Sequence, residues 1–138
     1  MAEQCIAEGR FNAAIEAYLE VLQINPSDGT TRKKVADLCV KVGRLSEAIA
    51  HIKLLAEPFR KDGFLMQVAA LLKWAMRLDP ANIEIVYDLA ECYYQFRCYK
   101  DAIHALRECA EELTRRGELT LAREMQEQAL IIEAKLPS

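Results

Sequence analysis

Apolar residues recur along this chain at spacings of three and four, which is the period of a helix with one buried face. Phe11, Ala14, Ile15, Tyr18 and Leu22 form one such series. Only five glycines and four prolines interrupt the chain, so long helices are predicted between them. The pattern predicts an all-α fold with helices over 2–8, 10–25, 28–42, 45–61, 64–78, 81–96, 99–115 and 118–135.

The sequence also repeats itself at a shift of 54 residues. Segment 2–26 matches 56–80 and then 110–134, and segment 35–49 matches 89–103 at the same shift. Two independent segments that share one shift indicate an internal repeat. Each repeat holds three helices. The chain is therefore predicted to be a single repeat domain over 1–138, with units of approximately 2–55, 56–109 and 110–138.

Glycines stand where the predicted helices end and the chain must turn. We expect a left-handed backbone at Gly9, Gly43, Gly63 and Gly117, and Arg97 occupies the fifth such turn. Pro58 falls inside the predicted helix 45–61 and should bend it, because proline cannot donate a helical hydrogen bond.

One motif within the repeat resembles the tetratricopeptide repeat (TPR) family. Ala14, Tyr18 and Pro26 fit its pattern of a small residue, a large one four later, and then a proline. Val68, Leu72 and Pro80 fit it more loosely. The resemblance implies a right-handed solenoid of about seven to eight antiparallel helices. The overlapping 54-residue units are similar to TPR segments of bacterial gliding and polarity proteins, which dock Ras-like small GTPases or response regulators.

Composition removes several classes of function. A net charge of −3 and a pI near 5.5 argue against nucleic acid as a partner, because phosphate binding needs a basic surface. No run of 18 apolar residues is present, so no membrane span is expected. The five cysteines contain no C-x-x-C, and we interpret them as reduced core residues of a cytoplasmic protein.

The residues offer little catalytic chemistry. His51 and His104 have alanines, Ala105 and Ala50, at their equivalent repeat positions, and neither has a second metal ligand three or four residues away. The sequence also lacks a phosphate-binding glycine loop. We therefore expect no catalytic residue, no metal and no cofactor.

A partner-binding groove is the first candidate site. The resemblance implies that the first helix of each pair lines a concave groove, whose predicted residues are Lys33, Asp37, Lys53, Arg60, Tyr87, Glu91 and Tyr94. Acidic residues take the central positions, so a C-terminal carboxylate is not the expected ligand. The groove changes from basic to aromatic, and tyrosines suit protein binding. Tyr93 and Phe96 are expected in the core instead.

An apolar stripe on helix 64–78 is the second candidate site. Met66, Ala70 and Trp74 lie four apart on one face, whereas the other two repeat copies are polar there. If the stripe is exposed, it is an interaction site. We favour burial, because the middle copy of a stack covers faces that the terminal copies expose.

The sequence leaves two functional classes open. In the first, the chain is a non-catalytic scaffold or adaptor that binds a protein or peptide in its groove, in the manner of the motility and polarity proteins. In the second, it is a structural module that forms homo-oligomers by stacking through its terminal helices.

Overall fold

The computed structural model describes residues 1–7 and 9–137 of the chain. Those residues form eight helices and no strand: α1 (Ala2–Ala7), α2 (Phe11–Ile24), α3 (Gly29–Lys41), α4 (Leu45–Lys61), α5 (Leu65–Leu78), α6 (Ile83–Gln95), α7 (Tyr99–Arg115) and α8 (Leu119–Glu133). The predicted all-α fold is confirmed, and each helix end lies within two residues of its prediction. Glu8, the predicted end of the first helix, lies outside the described residues.

The chain divides into two compact units, Met1–Lys61 and Asp62–Ser138. In the first unit, α1 packs against α2, α2 against α3, and α3 against α4; in the second unit, α5 packs against α6, α6 against α7, and α7 against α8. Short connections make successive helices antiparallel neighbours. Each unit is thus a stack of helices that bury their faces against the next helix, as a helical repeat requires.

The buried faces follow the predicted periodicity. In α2 the buried residues are Ala14, Ile15, Tyr18 and Leu22, the series that marks this helix in the sequence. In α7 the buried face is longer and consists of Ala102, Ile103, Ala105, Leu106, Cys109, Ala110 and Leu113. This face lets α7 pack between α6 and α8 in the second unit.

Equivalent helices in the two repeats begin with the same kind of side-chain cap. Asp28 caps α3 by accepting a hydrogen bond from the Thr31 backbone N–H at 3.1 Å, and Asn82 caps α6 through the N–H of Ile85 at 3.2 Å. These two caps lie 54 residues apart. Hydrogen bonds from Thr31 hold the pKa of Asp28 below its ordinary value. The cap therefore stays ionised and stabilises its helix over a wide pH range.

The five predicted left-handed turns are confirmed. The backbone φ angle is positive at Gly9, Gly43, Gly63 and Gly117, and it is 59° at Arg97. At Gly43 the residue's own N–H donates to the Val40 carbonyl at 3.2 Å, and the following N–H donates to the Cys39 carbonyl at 2.8 Å. These two bonds close the last turn of α3.

Candidate functional site

A cleft in the second unit brings together three of the predicted groove residues. Tyr87, Glu91 and Tyr94 of α6 form one wall, and residues of α8 form the other. Leu106 of α7, which is 1% exposed, lies at the base. The cleft encloses about 250 Å³, and its full lining is Tyr87, Ala90, Glu91, Tyr94, Leu106, Gln128, Ile131, Ile132 and Lys135.

The helical period places the three α6 residues on one face. They lie four and three positions apart, while Val86, Leu89 and Ala90 hold α6 in the core. Tyr87 is 39% exposed and Tyr94 is half-buried, so both rings present surface to the cleft. Burial, and next the charge of Glu124, raises the pKa of Tyr87 above its ordinary value. Its hydroxyl is therefore neutral at physiological pH.

Tyr94 is held in place by contacts on two sides. Its ring lies 5.1 Å from the ring of Tyr99, centroid to centroid, in a tilted arrangement. Lys135 Nζ lies 5.6 Å from the centroid of the Tyr94 ring, and hydrogen bonding to Tyr94 raises the pKa of this lysine. Tyr94 is thus an oriented aromatic surface beside a cation.

Charge is unequal along the cleft. Glu91 accepts a hydrogen bond from the Gln95 side-chain amide at 3.0 Å. Glu124 lies one turn before Gln128 on α8, and its negative charge contributes to the raised pKa of Tyr87. Lys135 is the cation among the residues that line the cleft. The Tyr87 end is therefore acidic, and the Tyr94 end carries the lysine.

The basic residues of the predicted groove lie in the first unit. Lys33 is exposed on α3 and forms an ion pair with Asp37 at 3.4 Å. Lys53 and Arg60 are half-buried on α4, and Arg60 Nε lies 3.6 Å from a carboxylate oxygen of Glu57. An ion pair between exposed side chains contributes little stability.

The stripe on α5 is exposed for part of its length. Met66 is 52% exposed, Ala70 is exposed and Trp74 is half-buried. Burial, the interpretation that the repeat comparison favours, is therefore wrong at Met66 and Ala70. The reason is that α5 packs through its other side, where Val68, Ala69, Leu72, Ala75 and Met76 are buried.

Phe96 also differs from its prediction. The sequence pattern places it in the core, but its side chain is 44% exposed. Phe96 caps the C-terminal end of α6, immediately before the left-handed residue Arg97, so it has left the buried face of the helix. Tyr93, the other predicted core aromatic, is half-buried.

The α8 wall of the cleft was not predicted as part of a site. Its exposed apolar member, Ile131, corresponds to Gln23 and Arg77 in the earlier repeat copies. An isoleucine where both other copies are polar is the signal that could have found this wall.

The histidines and cysteines take structural or surface positions. His51 accepts a hydrogen bond from Arg32 at 3.0 Å, and the exposed His104 lies 3.8 Å from Glu108. Cys5, Cys39, Cys92 and Cys109 are buried. Burial raises the pKa of Cys109 to about 11, so its reactive thiolate is scarce at neutral pH. Across the described ranges, 1–7 and 9–137, no three His, Cys, Asp or Glu side chains could jointly hold a metal.

A helix that crosses a membrane must be both long and apolar. Within the part of the chain that the structure describes, no helix combines the length and apolar character needed to cross a membrane.

Comparison with known proteins places these features in a family context. Residues 6–67 match the family model of the tetratricopeptide repeat. The TPR repeat-containing protein MJ1428 of Methanocaldococcus jannaschii is 26% identical to this chain over 90 residues. That match covers 63% of this chain but spans only 16% of the length of the archaeal protein.

Two solved structures also match this chain over most of its length. TTC0263, a thermophilic TPR protein in Thermus thermophilus, is 22% identical; the match covers 97% of this chain and 89% of that chain, with a TM-score of 0.37. MamA from Desulfovibrio magneticus is 13% identical; the match covers 99% of this chain and 93% of that chain, with a TM-score of 0.39.

Proposed function

We propose that this chain, whose residues 6–67 match the family model of the tetratricopeptide repeat, is a non-catalytic scaffold of that family whose protein partner docks in the cleft between α6 and α8. The observation that carries the proposal is the pair of accessible tyrosines, Tyr87 and Tyr94, over an apolar base. Tyrosine supplies a large contact area at a low entropic cost, and for that reason it is enriched at the centres of protein interfaces.

The size of the cleft supports a protein ligand over a small molecule. Sites that enclose drug-sized ligands have volumes of roughly 300–1,000 Å³. At about 250 Å³, this cleft suits one or two side chains of a partner whose remaining contacts lie outside it.

The proposal extends to the basic residues of the first unit. Lys33 and Lys53 are proposed to contact an acidic part of the partner surface, because opposite charge on two surfaces accelerates their association. In its narrowest form the partner is a Ras-like small GTPase or a response regulator in bacterial motility or polarity, and binding takes place in the cytoplasm. Support for this narrow form is the similarity of the overlapping repeat units to those of gliding and polarity proteins.

Affinity measurements on the Tyr94→Ala variant test the cleft. A partner identified by pull-down and then purified should dissociate faster, with a loss of about 1–3 kcal/mol in binding free energy. Phe96→Ala is the matched control, because it removes another exposed aromatic outside the cleft lining. Equal losses from both variants, or no loss from Tyr94→Ala, would exclude the cleft.

The stripe on α5 gives the competing location for the same function. Met66→Glu and Trp74→Glu place a charge on this stripe. If these variants stay folded and lose binding while Tyr94→Ala retains it, the partner binds α5 instead.

Self-assembly through the terminal helices is the second candidate function. It is favoured by exposed apolar residues on the last helix, α8, where Leu119 is 62% exposed and Leu130 is 56% exposed. Light scattering across a range of protein concentrations tests it. A monomer at every concentration would contradict self-assembly and leave the scaffold proposal intact.

A further inference from the structure

The electrostatics of the cleft between α6 and α8 indicate what kind of segment it receives. Two carboxylates, Glu91 and Glu124, belong to its walls or their immediate neighbourhood. Neither forms a salt bridge with any residue that the structure describes; Glu91 accepts only the amide of Gln95, a neutral donor. The acidic end of the cleft is therefore not neutralised from within the second unit.

Other carboxylates in this unit are neutralised by nearby arginines. Glu112 pairs with Arg115 at 2.6 Å and with Arg116 at 3.2 Å, and Glu133 pairs with Arg107 at 2.7 Å. The difference matters because a carboxylate that already has an arginine gains less from a second cation. Glu91 and Glu124 are available to a cation from outside.

The aromatic residue at this end favours the same ligand chemistry. The ring of Tyr87 is 39% exposed beside these carboxylates, and a guanidinium or ammonium group binds favourably over an aromatic face. Farther into the cleft, Leu106 and Ile132 form an apolar base, and Ile131 adds exposed apolar surface. The cleft thus combines a site for a cation with a site for an aliphatic or aromatic side chain.

We infer that the cleft between α6 and α8 receives a basic, partly apolar segment of the partner, in which an arginine or lysine lies beside Tyr87, Glu91 and Glu124 and a neighbouring apolar side chain packs against the exposed side chain of Ile131. This inference rests on the proposed function and specifies the chemistry of its ligand.

Three synthetic peptides of equal length test the inference with the full chain. Each is labelled with fluorescein and carries a central Leu-Trp pair flanked by three arginines, three glutamates or three serines. Fluorescence anisotropy should show the arginine peptide binding about tenfold or more tightly than the glutamate peptide. The double variant Glu91→Lys/Glu124→Lys should reverse this order. Glu111→Lys is the matched control, since Glu111 is an exposed residue of α7 outside the cleft lining, and it should leave the order unchanged.

The outcomes separate the ligand class from the proposed function. If the serine or glutamate peptide binds as tightly as the arginine peptide, and Tyr94→Ala weakens that binding, the basic class is wrong and the cleft still binds peptides. If no peptide responds to Tyr94→Ala, the cleft proposal itself fails. If the wild-type chain dimerises and Glu91→Lys/Glu124→Lys dissociates the dimer, the occupant is a second copy and the inference is overturned.

Discussion

At the scale of single residues, Gly43 and Arg97 occupy the same position in successive repeats and adopt the same left-handed turn. The φ angle is 81° at Gly43 and 59° at Arg97. After both residues the chain closes its helix with the same pair of backbone bonds: Arg97 N–H donates to Tyr94 at 2.9 Å, and Cys98 N–H donates to Tyr93 at 2.8 Å. The left-handed conformation costs a residue with a Cβ about 1–2 kcal/mol. The backbone at Arg97 is therefore strained, whereas glycine at position 43 adopts the same conformation without this cost.

We predict that Arg97→Gly stabilises the protein by about 0.5–1 kcal/mol, because the relief of strain exceeds the entropy that glycine adds to the unfolded chain. Gly43→Ala should destabilise by a similar amount. A Cβ at Gly43 meets nothing within 4 Å, so the cost there belongs to the backbone alone. Urea unfolding of both variants measures these changes. A destabilised Arg97→Gly protein would mean that the arginine side chain outweighs its backbone strain.

His51 links two helices in the first unit and gives a pH-dependent stability. Arg32 donates one hydrogen bond to His51 Nδ1 at 3.0 Å and another to the Pro26 carbonyl at 2.8 Å. Burial, followed by the charge of Arg32, holds the pKa of His51 below its ordinary value. The unfolded chain therefore takes up a proton at a higher pH than the folded chain.

Stability should accordingly fall as the pH drops from about 7 through the ordinary histidine pKa near 6.5, and the loss is complete below the folded pKa. His51→Gln keeps an acceptor for Arg32 but does not titrate in this window. The wild-type protein should lose more unfolding free energy between about pH 7.5 and about pH 5.5 than this variant loses. Equal losses in denaturant unfolding at the two pH values would assign the pH effect to other groups.

At the scale of elements, Pro58 is the clearest departure from an ideal helix. It lies within α4, is exposed, and corresponds to Glu112 in α7. Proline lacks an N–H, so it cannot donate to the carbonyl four residues earlier, at Leu54. Since α7 is helical with Glu112 at the equivalent position, a helix can form there without a proline.

Replacing Pro58 by its counterpart, Pro58→Glu, should stabilise α4 by about 1–3 kcal/mol, since an interior proline costs about 3 kcal/mol relative to good helix formers. Thermal unfolding followed by circular dichroism measures the gain. Pro137→Glu provides the control, because Pro137 follows the last helix. A lower melting temperature for Pro58→Glu would show that the proline stabilises the protein. It would do so if the entropy that proline removes from the unfolded chain outweighed the lost helical hydrogen bond.

At the scale of the whole molecule, charge should govern how fast a partner associates. Lys33→Glu/Lys53→Glu reverses the charge of two predicted groove residues in the first unit and should slow association and weaken its salt dependence, with the helical signal retained. The control, Lys73→Glu/Lys100→Glu, makes the same change in net charge at exposed residues of the second unit. Stopped-flow association at two salt concentrations distinguishes them. Identical rates for both double variants would mean that net charge alone acts.

Because the chain forms two units, the repeat pattern in the sequence does not predict which residues share one binding site. The shift of 54 residues equates Tyr87 with Lys33 and Glu91 with Asp37, and these positions lie in different units. The structure shows the wall opposite Tyr87 and Glu91, which is α8. That all the predicted groove residues bind one partner stays a prediction.

The sequence by itself determined which segments are helical, where they end and which apolar positions share a face of each helix. The period of apolar residues, the turn glycines and the 54-residue shift are local properties, because helix formation and capping depend on neighbours within a few residues. It also placed Tyr87, Glu91 and Tyr94 on one face of α6, since positions three and four apart share a face.

Only the tertiary structure decided what lies opposite that face and which residues keep their exposure. Ile131 and Lys135 reach the cleft because α6 and α8 both pack against α7, and Met66 stays exposed because α5 packs through its opposite side. The exposed fraction of a side chain depends on helices that are distant in sequence. A helical period defines two faces, and packing selects which of them is covered.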